Sequence, residues 1–334
     1  MTNLSISYAG HFADRVQDLY YGAVRPEAID LHFLPLPPVQ AFNRMLRGEF
    51  DSSEMSFSSY VIRAAMAKRG GDPLPFVAIP VFPSRTFRHG AIYVNTAAGI
   101  GGPEDLAGRR IGVPEYNMTA AVWARGLLKD EYGVTPESIR WTTGGLTSAG
   151  RKAMLAQEVP GVDIVHEQDR TLDEMLVAGD LDGLIAPQPP PAYRNHDPRV
   201  ARLFQDVTAA EQAYCRKTGL FPIMHTLVLR RDLYDRHPWV AASLYEAFDK
   251  AKNNCLARLA EEEPAPVSYP WSAALGRTVR EIRGDDFWPY GVEPNRAEIE
   301  TLCRYTHEQG LAPLRLAPED LFAESVARLS SFRL

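Results

Sequence analysis

Cysteine, long apolar runs and excess positive charge are all scarce in this sequence. Its three cysteines, Cys215, Cys255 and Cys303, are far apart and form no C-x-x-C pair, so reduced thiols in a cytoplasm are expected rather than a disulfide scaffold. No apolar run reaches the roughly 18 residues of a membrane-spanning helix. The first residues show neither the basic nor the apolar segment of a secretory leader. The sequence therefore predicts a cytoplasmic chain without membrane association.

The charge balance and the missing motifs narrow the function. Acidic residues outnumber basic ones by 42 to 36, a net charge of −6, which argues against a general nucleic-acid binder. Nucleotide-binding, zinc-protease and serine-hydrolase motifs are absent. His11, Glu54, His89 and His225 could in some mixture hold a divalent metal, but no ligand spacing indicates it. We therefore expect no cofactor.

The alternation of strands and helices predicts an α/β fold of two lobes. Four strands alternating with three helices up to about residue 82 favour a mostly parallel sheet covered by helices. A second series begins at a basic loop near residue 84 and ends at a proline run, residues 187–191. The last third is helical by periodicity, including residues 318–329. We predict lobe 1 from residues 1–84 and 190–334, lobe 2 from residues 85–189, and a ligand cleft between them.

A basic stretch at the first crossing is the strongest candidate for an anion site. Arg85, Arg88 and His89 lie within a few residues of one another between two apolar segments. A guanidinium pairs with a carboxylate through two parallel charge-assisted hydrogen bonds, which lysine cannot reproduce. The alternative is that both arginines are solvated and that His89 caps a strand.

Several other polar residues follow predicted strands. His11 comes after the first strand and Ser56 near the end of the third, beside Glu54, whose carboxylate could act as acid or base. Tyr116 precedes a predicted helix for which Thr119 is a plausible N-cap, although every helix needs a cap. His225 lies in an apolar stretch, where a lone histidine is more often a core residue than a catalyst.

At these positions the sequence resembles a known family, the 4,5-dihydroxyphthalate decarboxylases, which are similar in fold to the type 2 periplasmic solute-binding proteins. The resembling stretches include residues 54–60 (EMSFSSY), 83–89 (PSRTFRH), 110–116 (RIGVPEY), 118–123 (MTAAVW), 221–225 (FPIMH) and 288–291 (WPYG). The resemblance covers nearly the whole chain from about residue 50. It implies an enzyme of phthalate degradation, and so of aromatic-compound catabolism.

The implied reaction removes one carboxylate from a catechol dicarboxylic acid to give protocatechuate and carbon dioxide. Such a site must hold carboxylates, accept a phenolic proton and protonate a ring carbon. As hypotheses from chemistry and position, the roles fall to residues named above: Arg85 and Arg88 as carboxylate clamp, His89 as acid at the ring carbon, Glu54 or His225 at the hydroxyl, Tyr116 and Thr119 orienting the ring, and His11 and Ser56 as further substrate contacts.

A second function class stays open at this point. A solute-binding protein for an aromatic or dicarboxylic acid would need the same arginines and lobes, but no acids or bases. In either case the expected partner is a small aromatic carboxylate, with neither nucleic acid nor membrane. The helical C-terminal third also leaves surfaces that a homo-oligomer could use.

Overall fold

The computed structural model describes residues 3–152, 159–261 and 267–329. The chain divides into two compact units. Unit 1 comprises Met1–Arg85, Ile223–Glu300 and Leu316–Leu334, and unit 2 comprises Thr86–Pro222 and Thr301–Arg315. Each unit is built on its own β-sheet.

The described residues form the following elements. The strands are β1 (Leu4–Gly10), β2 (Ile29–Pro35), β3 (Ser52–Ser56), β4 (Phe76–Arg85), β5 (Ile92–Asn95), β6 (Arg110–Val113), β7 (Arg140–Thr143), β8 (Ile164–His166), β9 (Gly183–Ile185), β10 (Val200–Arg202) and β11 (Ile223–Arg230). The helices are α1 (Gln17–Tyr20), α2 (Pro38–Leu46), α3 (Phe57–Lys68), α4 (Thr119–Tyr132), α5 (Leu172–Ala178), α6 (Pro191–Arg194), α7 (Val207–Thr218), α8 (Arg231–Arg236), α9 (Trp239–Ala260), α10 (Ser272–Arg283) and α11 (Arg296–Glu308).

The sheet of unit 1 has the strand order β2-β1-β3-β11-β4. Strand β1 is parallel to β2 and β3, whereas β11 is antiparallel to both β3 and β4. The four strands from the first part of the chain therefore run in one direction, as predicted, and the antiparallel exception is β11, a strand from the last third of the chain that inserts between β3 and β4. The carboxyl ends of β1, β3 and β4 and the amino end of β11 share one edge of the sheet.

Buried serines make β3 an unusual central strand. Ser52 and Ser53 are fully buried, and their hydroxyls donate to the Val228 carbonyl at 2.8 Å and the Ala9 carbonyl at 2.9 Å. Buried hydroxyls are tolerated when they are hydrogen-bonded. Because its hydroxyls are hydrogen-bonded, this polar strand, which includes Glu54, can lie in the middle of the sheet.

The sheet of unit 2 has the strand order β10-β5-β9-β6-β7-β8. Its helices follow their sequence signals: Thr171 and Glu174 form a capping box before α5, and Gly133 ends α4 with a left-handed φ of 69°. Strand β10 pairs with β5, so residues 190–222 belong to unit 2 and not to lobe 1 as predicted. The proline run turns the chain but does not return it to the first sheet.

Two parts of the C-terminal third depart from expectation. Helix α11 begins in unit 1, but its residues from Thr301 onward belong to unit 2. Residues 318–329 form a 3-10 turn, Pro318–Asp320, a bridge from Phe322 to Ala78 and further turns, rather than the predicted helix. The amide of Ala323 donates to the Ala78 carbonyl at the sheet edge instead of to a helical partner. Within the described ranges, no helix is both long and apolar enough to cross a lipid bilayer.

Candidate active site

Glu54 and His225 form a hydrogen-bonded pair at the shared edge of the sheet in unit 1. Leu227 is the register partner of Glu54, so His225 lies diagonally across the β3–β11 pair from the carboxylate. Nδ1 of His225 lies 3.0 Å from Oε2 of Glu54. The Glu54 carboxylate is buried, at 1% exposure, whereas the imidazole retains 17%. The histidine is therefore fixed by a buried carboxylate and still reachable.

The second carboxylate oxygen of Glu54 is also occupied. Oε1 accepts the backbone N–H of His11 at 3.0 Å. Phe42 places its ring edge-on to the imidazole, 4.9 Å between centroids. With Nδ1 assigned as donor to the carboxylate, Nε2 of His225 is left to accept a proton. This is the arrangement of a general base with its orienting group.

His11 and Ser56 lie near the Glu54–His225 pair. The His11 side chain is exposed, and its contact with Glu54 is made by the backbone. The Ser56 hydroxyl accepts from the Ser59 hydroxyl at 3.2 Å, at the start of α3. Their proposed substrate contacts stay predictions.

Arg85 lies at the end of β4, and protein groups surround its guanidinium. Nη2 donates to the Pro289 carbonyl at 2.9 Å and to the Asn295 side-chain carbonyl. Nη1 lies 3.7 Å from a Glu298 carboxylate oxygen. Burial lowers the pKa of Arg85 to about 10. Such a partner set is typical of a structural arginine, so the geometry does not favour its predicted role as a carboxylate clamp.

Arg88 and His89 are buried in unit 2. Desolvation lowers the pKa of Arg88 to about 10, partly opposed by Glu211. The His89 imidazole lies edge-on to the rings of Phe204 and Tyr214, at 5.1 and 5.2 Å, and burial lowers its pKa to about 4. Among the described residues its Nδ1 has no hydrogen-bond partner. The surroundings resemble those of a core histidine.

Tyr116 and Thr119 flank the start of α4 in unit 2. The N-cap of this helix is Met118, so the prediction of Thr119 as N-cap is wrong by one position. Thr119 is buried as the first helical residue. The Tyr116 hydroxyl has no hydrogen-bond partner in the described part of the chain, and burial raises its pKa.

Sequence reasoning missed Arg125, which supports Tyr116 from within α4. Its guanidinium lies 3.6 Å from the Tyr116 ring centroid, and its Nη2 donates to the Tyr116 carbonyl at 2.6 Å. Nε donates to Gln309 at 2.9 Å. An arginine inside an apolar helical stretch was the available signal, since such a residue is rarely left without a specific partner.

The predicted site residues thus fall into two groups. The structure joins Glu54, His225 and the His11 backbone directly in unit 1, where Arg85 and Ser56 also lie. Unit 2 carries the other four predicted residues, namely Arg88, His89, Tyr116 and Thr119. No group of three or more His, Cys, Asp or Glu side chains that could hold a metal ion occurs within residues 3–152, 159–261 and 267–329.

Solved structures identify the class of fold. The chain is similar to the alkanesulfonate-binding protein of Xanthomonas axonopodis pv. citri (TM-score 0.53, 13% identity, 98% of each chain covered). It is also similar to the periplasmic aliphatic sulphonate-binding protein of Escherichia coli (TM-score 0.55, 11% identity, 98% of this chain and 99% of the other). The chain is thus an α/β protein with the periplasmic-binding-protein fold, which confirms the predicted class.

Curated relatives identify the family. No protein-family model matches the chain. A 4,5-dihydroxyphthalate decarboxylase of Comamonas testosteroni is 37% identical over 337 residues, covering both chains completely. A protein of the same name from Pseudomonas putida is 36% identical over 217 residues, which are 64% of this chain and 81% of the other. The chain belongs to the 4,5-dihydroxyphthalate decarboxylase family, as the sequence motifs predicted.

Proposed function

We propose that the chain is a carboxy-lyase that converts 4,5-dihydroxyphthalate into protocatechuate and carbon dioxide. The observation that carries this proposal is the 37% identity with a decarboxylase of that name along the whole of both chains. The Glu54–His225 pair supports it from the geometry, because a solute-binding protein has no need of a general base held in position.

The chemistry defines what the site must do. Direct loss of carbon dioxide from an arene would leave an unstabilised aryl anion. Protonation of the ring carbon avoids this if the hydroxyl para to that carbon gives up its proton and becomes a carbonyl. The bond to the carboxylate then breaks, its electrons return to the ring, and the carbonyl becomes a phenolate that takes its proton back. The net change consumes one proton and releases carbon dioxide.

We propose that the Glu54–His225 pair accepts the proton of the substrate hydroxyl that lies para to the reacting carbon. Nε2 of His225 accepts it while the ring carbon is protonated, and returns it to the phenolate after carbon dioxide has left. Glu54 holds the imidazole in the correct tautomer and compensates the positive charge that forms. The backbone N–H of His11 fixes the other carboxylate oxygen and so prevents Glu54 from rotating.

The acid at the ring carbon is a separate requirement. His89 was the first candidate, but a pKa of about 4 leaves almost no imidazolium at neutral pH. Its burial between aromatic rings therefore argues against this role, and the role of His89 stays a prediction. Tyr116 is a further polar group of unit 2 whose hydroxyl lacks a partner in the described ranges.

The proposed cytoplasmic location and self-association rest on the cysteines and on exposed apolar side chains. All three cysteines lie in the described ranges, where they are buried and form no disulfide, which supports the proposed cytoplasmic location. Self-association is also proposed, because the α10 region exposes large apolar side chains, with Tyr269 at 78%, Trp271 at 84% and Leu275 at 58% exposure. Cell fractionation and analytical ultracentrifugation test these two points.

The direct test uses purified, chelator-treated protein with 4,5-dihydroxyphthalate, with and without added divalent metal. Equimolar protocatechuate and carbon dioxide, formed at the same rate with and without metal, are expected. Formation only with metal would refute the expectation of no cofactor. Saturable binding that raises the melting temperature without substrate loss would instead establish a binding protein.

A further inference from the structure

Arg15 lies at the same sheet edge as the Glu54–His225 pair. The loop that follows β1 contacts Glu54 through the His11 backbone and then reaches β4, where Nε of Arg15 donates to the Pro83 carbonyl at 2.5 Å. The next residue of β4, Ser84, is the register partner of His225. The loop after β1 therefore connects the Glu54–His225 pair to the Arg15 guanidinium.

The Arg15 guanidinium is held in place before any ligand binds. It lies 4.4 Å from the ring centroid of Trp288, whose indole N–H donates to the Phe82 carbonyl at 2.9 Å. Burial raises the pKa of the Tyr290 hydroxyl; Arg15 opposes this rise and Glu54 adds to it, so both charges act on the same buried group. A cation stacked on an indole and tied to a strand loses little freedom when it binds an anion.

Part of the Arg15 guanidinium remains available to bind an anionic ligand. Nη1 lies 3.2 Å from a carboxylate oxygen of Asp14, whose side chain is 54% exposed, against 17% for Arg15. Such an exposed ion pair is weak and easily exchanged. Nη2 makes no hydrogen bond to any residue that the structure describes. In Arg85, by contrast, Nη2 already donates hydrogen bonds to two protein acceptors.

We propose that Arg15 binds the carboxylate that the substrate retains. This inference rests on the proposed decarboxylation. The carboxylate that leaves as carbon dioxide loses its charge, so an ion pair to it would stabilise the ground state more than the transition state. The neighbouring carboxylate keeps its charge throughout, and an arginine there fixes the ring without opposing the reaction.

Binding of the product and of its neutral amide tests this role apart from catalysis. Protocatechuate carries only the retained carboxylate, and 3,4-dihydroxybenzamide replaces it with an uncharged group of the same shape. Calorimetry on the wild-type protein should show the acid binding about 30-fold more tightly or better. Arg15→Gln should reduce this preference to about threefold or less, and Arg15→Lys, which lacks the planar fork, should reduce it in part.

Arg25→Gln is the matched control. Arg25 is an exposed arginine of unit 1 whose Nε also donates to a backbone carbonyl, that of Gly22 at 3.3 Å. This variant should keep the full preference for the acid. A wild-type protein with no such preference, or an Arg15→Gln protein of normal melting temperature that retains it, would overturn the inference. Failure of the wild type to consume 4,5-dihydroxyphthalate would instead refute the proposed function.

Discussion

His225 in unit 1 and His89 in unit 2 are the two histidines with predicted proton-transfer roles, and their surroundings are opposite. His225 keeps 17% of its side chain exposed and faces a buried carboxylate at 3.0 Å. His89 is 2% exposed and lies edge-on to two aromatic rings. Burial lowers the pKa of His89 to about 4, so its ring is neutral at pH 7.

The difference shows what a histidine needs in order to move protons. An accessible ring nitrogen and a partner for the charged form both matter, and of these two histidines only His225 has both. The ordinary pKa of a histidine, near 6.5, made His89 the first candidate for the acid, but that value does not hold between the rings that surround it in space.

The largest effect is expected for His225→Gln. Because glutamine cannot accept and return the hydroxyl proton, kcat for 4,5-dihydroxyphthalate should fall by about 10²- to 10⁴-fold. Steady-state assays of protocatechuate formation measure it. His32→Gln is the matched control, since His32 is exposed on β2 and bonds only to Ser5 among the described residues; its kcat should be unchanged. Comparable losses in both variants would end the assignment of His225 as the base.

Glu54→Gln should lower kcat by about 10²-fold. A glutamine carbonyl can still accept the His11 N–H, but its amide would donate to Nδ1 of His225 and leave the imidazole proton on Nε2. Nitrogen-15 NMR of the imidazole should show this change of tautomer. Because the two residues act as one unit, the double variant should be no worse than His225→Gln alone. Losses that multiply would contradict the pairing.

Arg85→Lys tests whether Arg85 stabilises the fold or binds the substrate. Lysine cannot serve Pro289, Asn295 and Glu298 together, so the free energy of unfolding should fall by about 2–4 kcal/mol. Urea denaturation measures it, and kcat/KM of the folded protein should change by no more than about threefold, far less than removal of a bidentate clamp would cause. Unchanged stability with a large loss of kcat/KM would restore Arg85 as the carboxylate clamp.

His89→Phe should also have little effect on catalysis. Phenylalanine fits an aromatic environment, so kcat at pH 7 should stay within about fivefold of wild type. The folded pKa of about 4 lies below the usual value of about 6.5. The unfolded chain therefore binds more protons, and the wild type should lose up to about 3 kcal/mol of stability as pH falls from about 6.5 to about 4.

The variant should lose that part of the pH dependence. Urea unfolding of both proteins at pH 7 and pH 4.5 makes the comparison. An identical pH dependence in His89→Phe would show that the imidazole is not held neutral by burial.

Local signals in the sequence were sufficient for most of the elements. The apolar runs 76–82 and 224–229 predicted β4 and β11, and helical periodicity over 119–131, 239–260 and 272–282 predicted α4, α9 and α10 to within one residue of their observed ends. The error at residues 318–329 has a physical reason. The segment is amphipathic enough for a helix, but the Leu321 carbonyl accepts from Tyr60 and the Ala323 amide donates to Ala78. Tertiary hydrogen bonds thus override local propensity.

The site was harder to predict because its contacts are remote in sequence. Glu54 and His225 are 171 residues apart, and their pairing depends on the insertion of β11 beside β3. Each residue was a candidate alone, but no local pattern could join them. Arg15 was missed for the opposite reason: a charged residue in an early loop is typical of a solvated position, and its stacking on Trp288 is visible only in space.

The most direct test of the account compares His225→Gln and His89→Phe side by side at pH 7, by decarboxylation of 4,5-dihydroxyphthalate at a saturating concentration. The account predicts wild-type turnover, a loss of about 10²-fold or more in the first variant, and a change of about fivefold or less in the second. Loss of turnover in His89→Phe with activity retained in His225→Gln would contradict it and move the proton-transfer chemistry to unit 2.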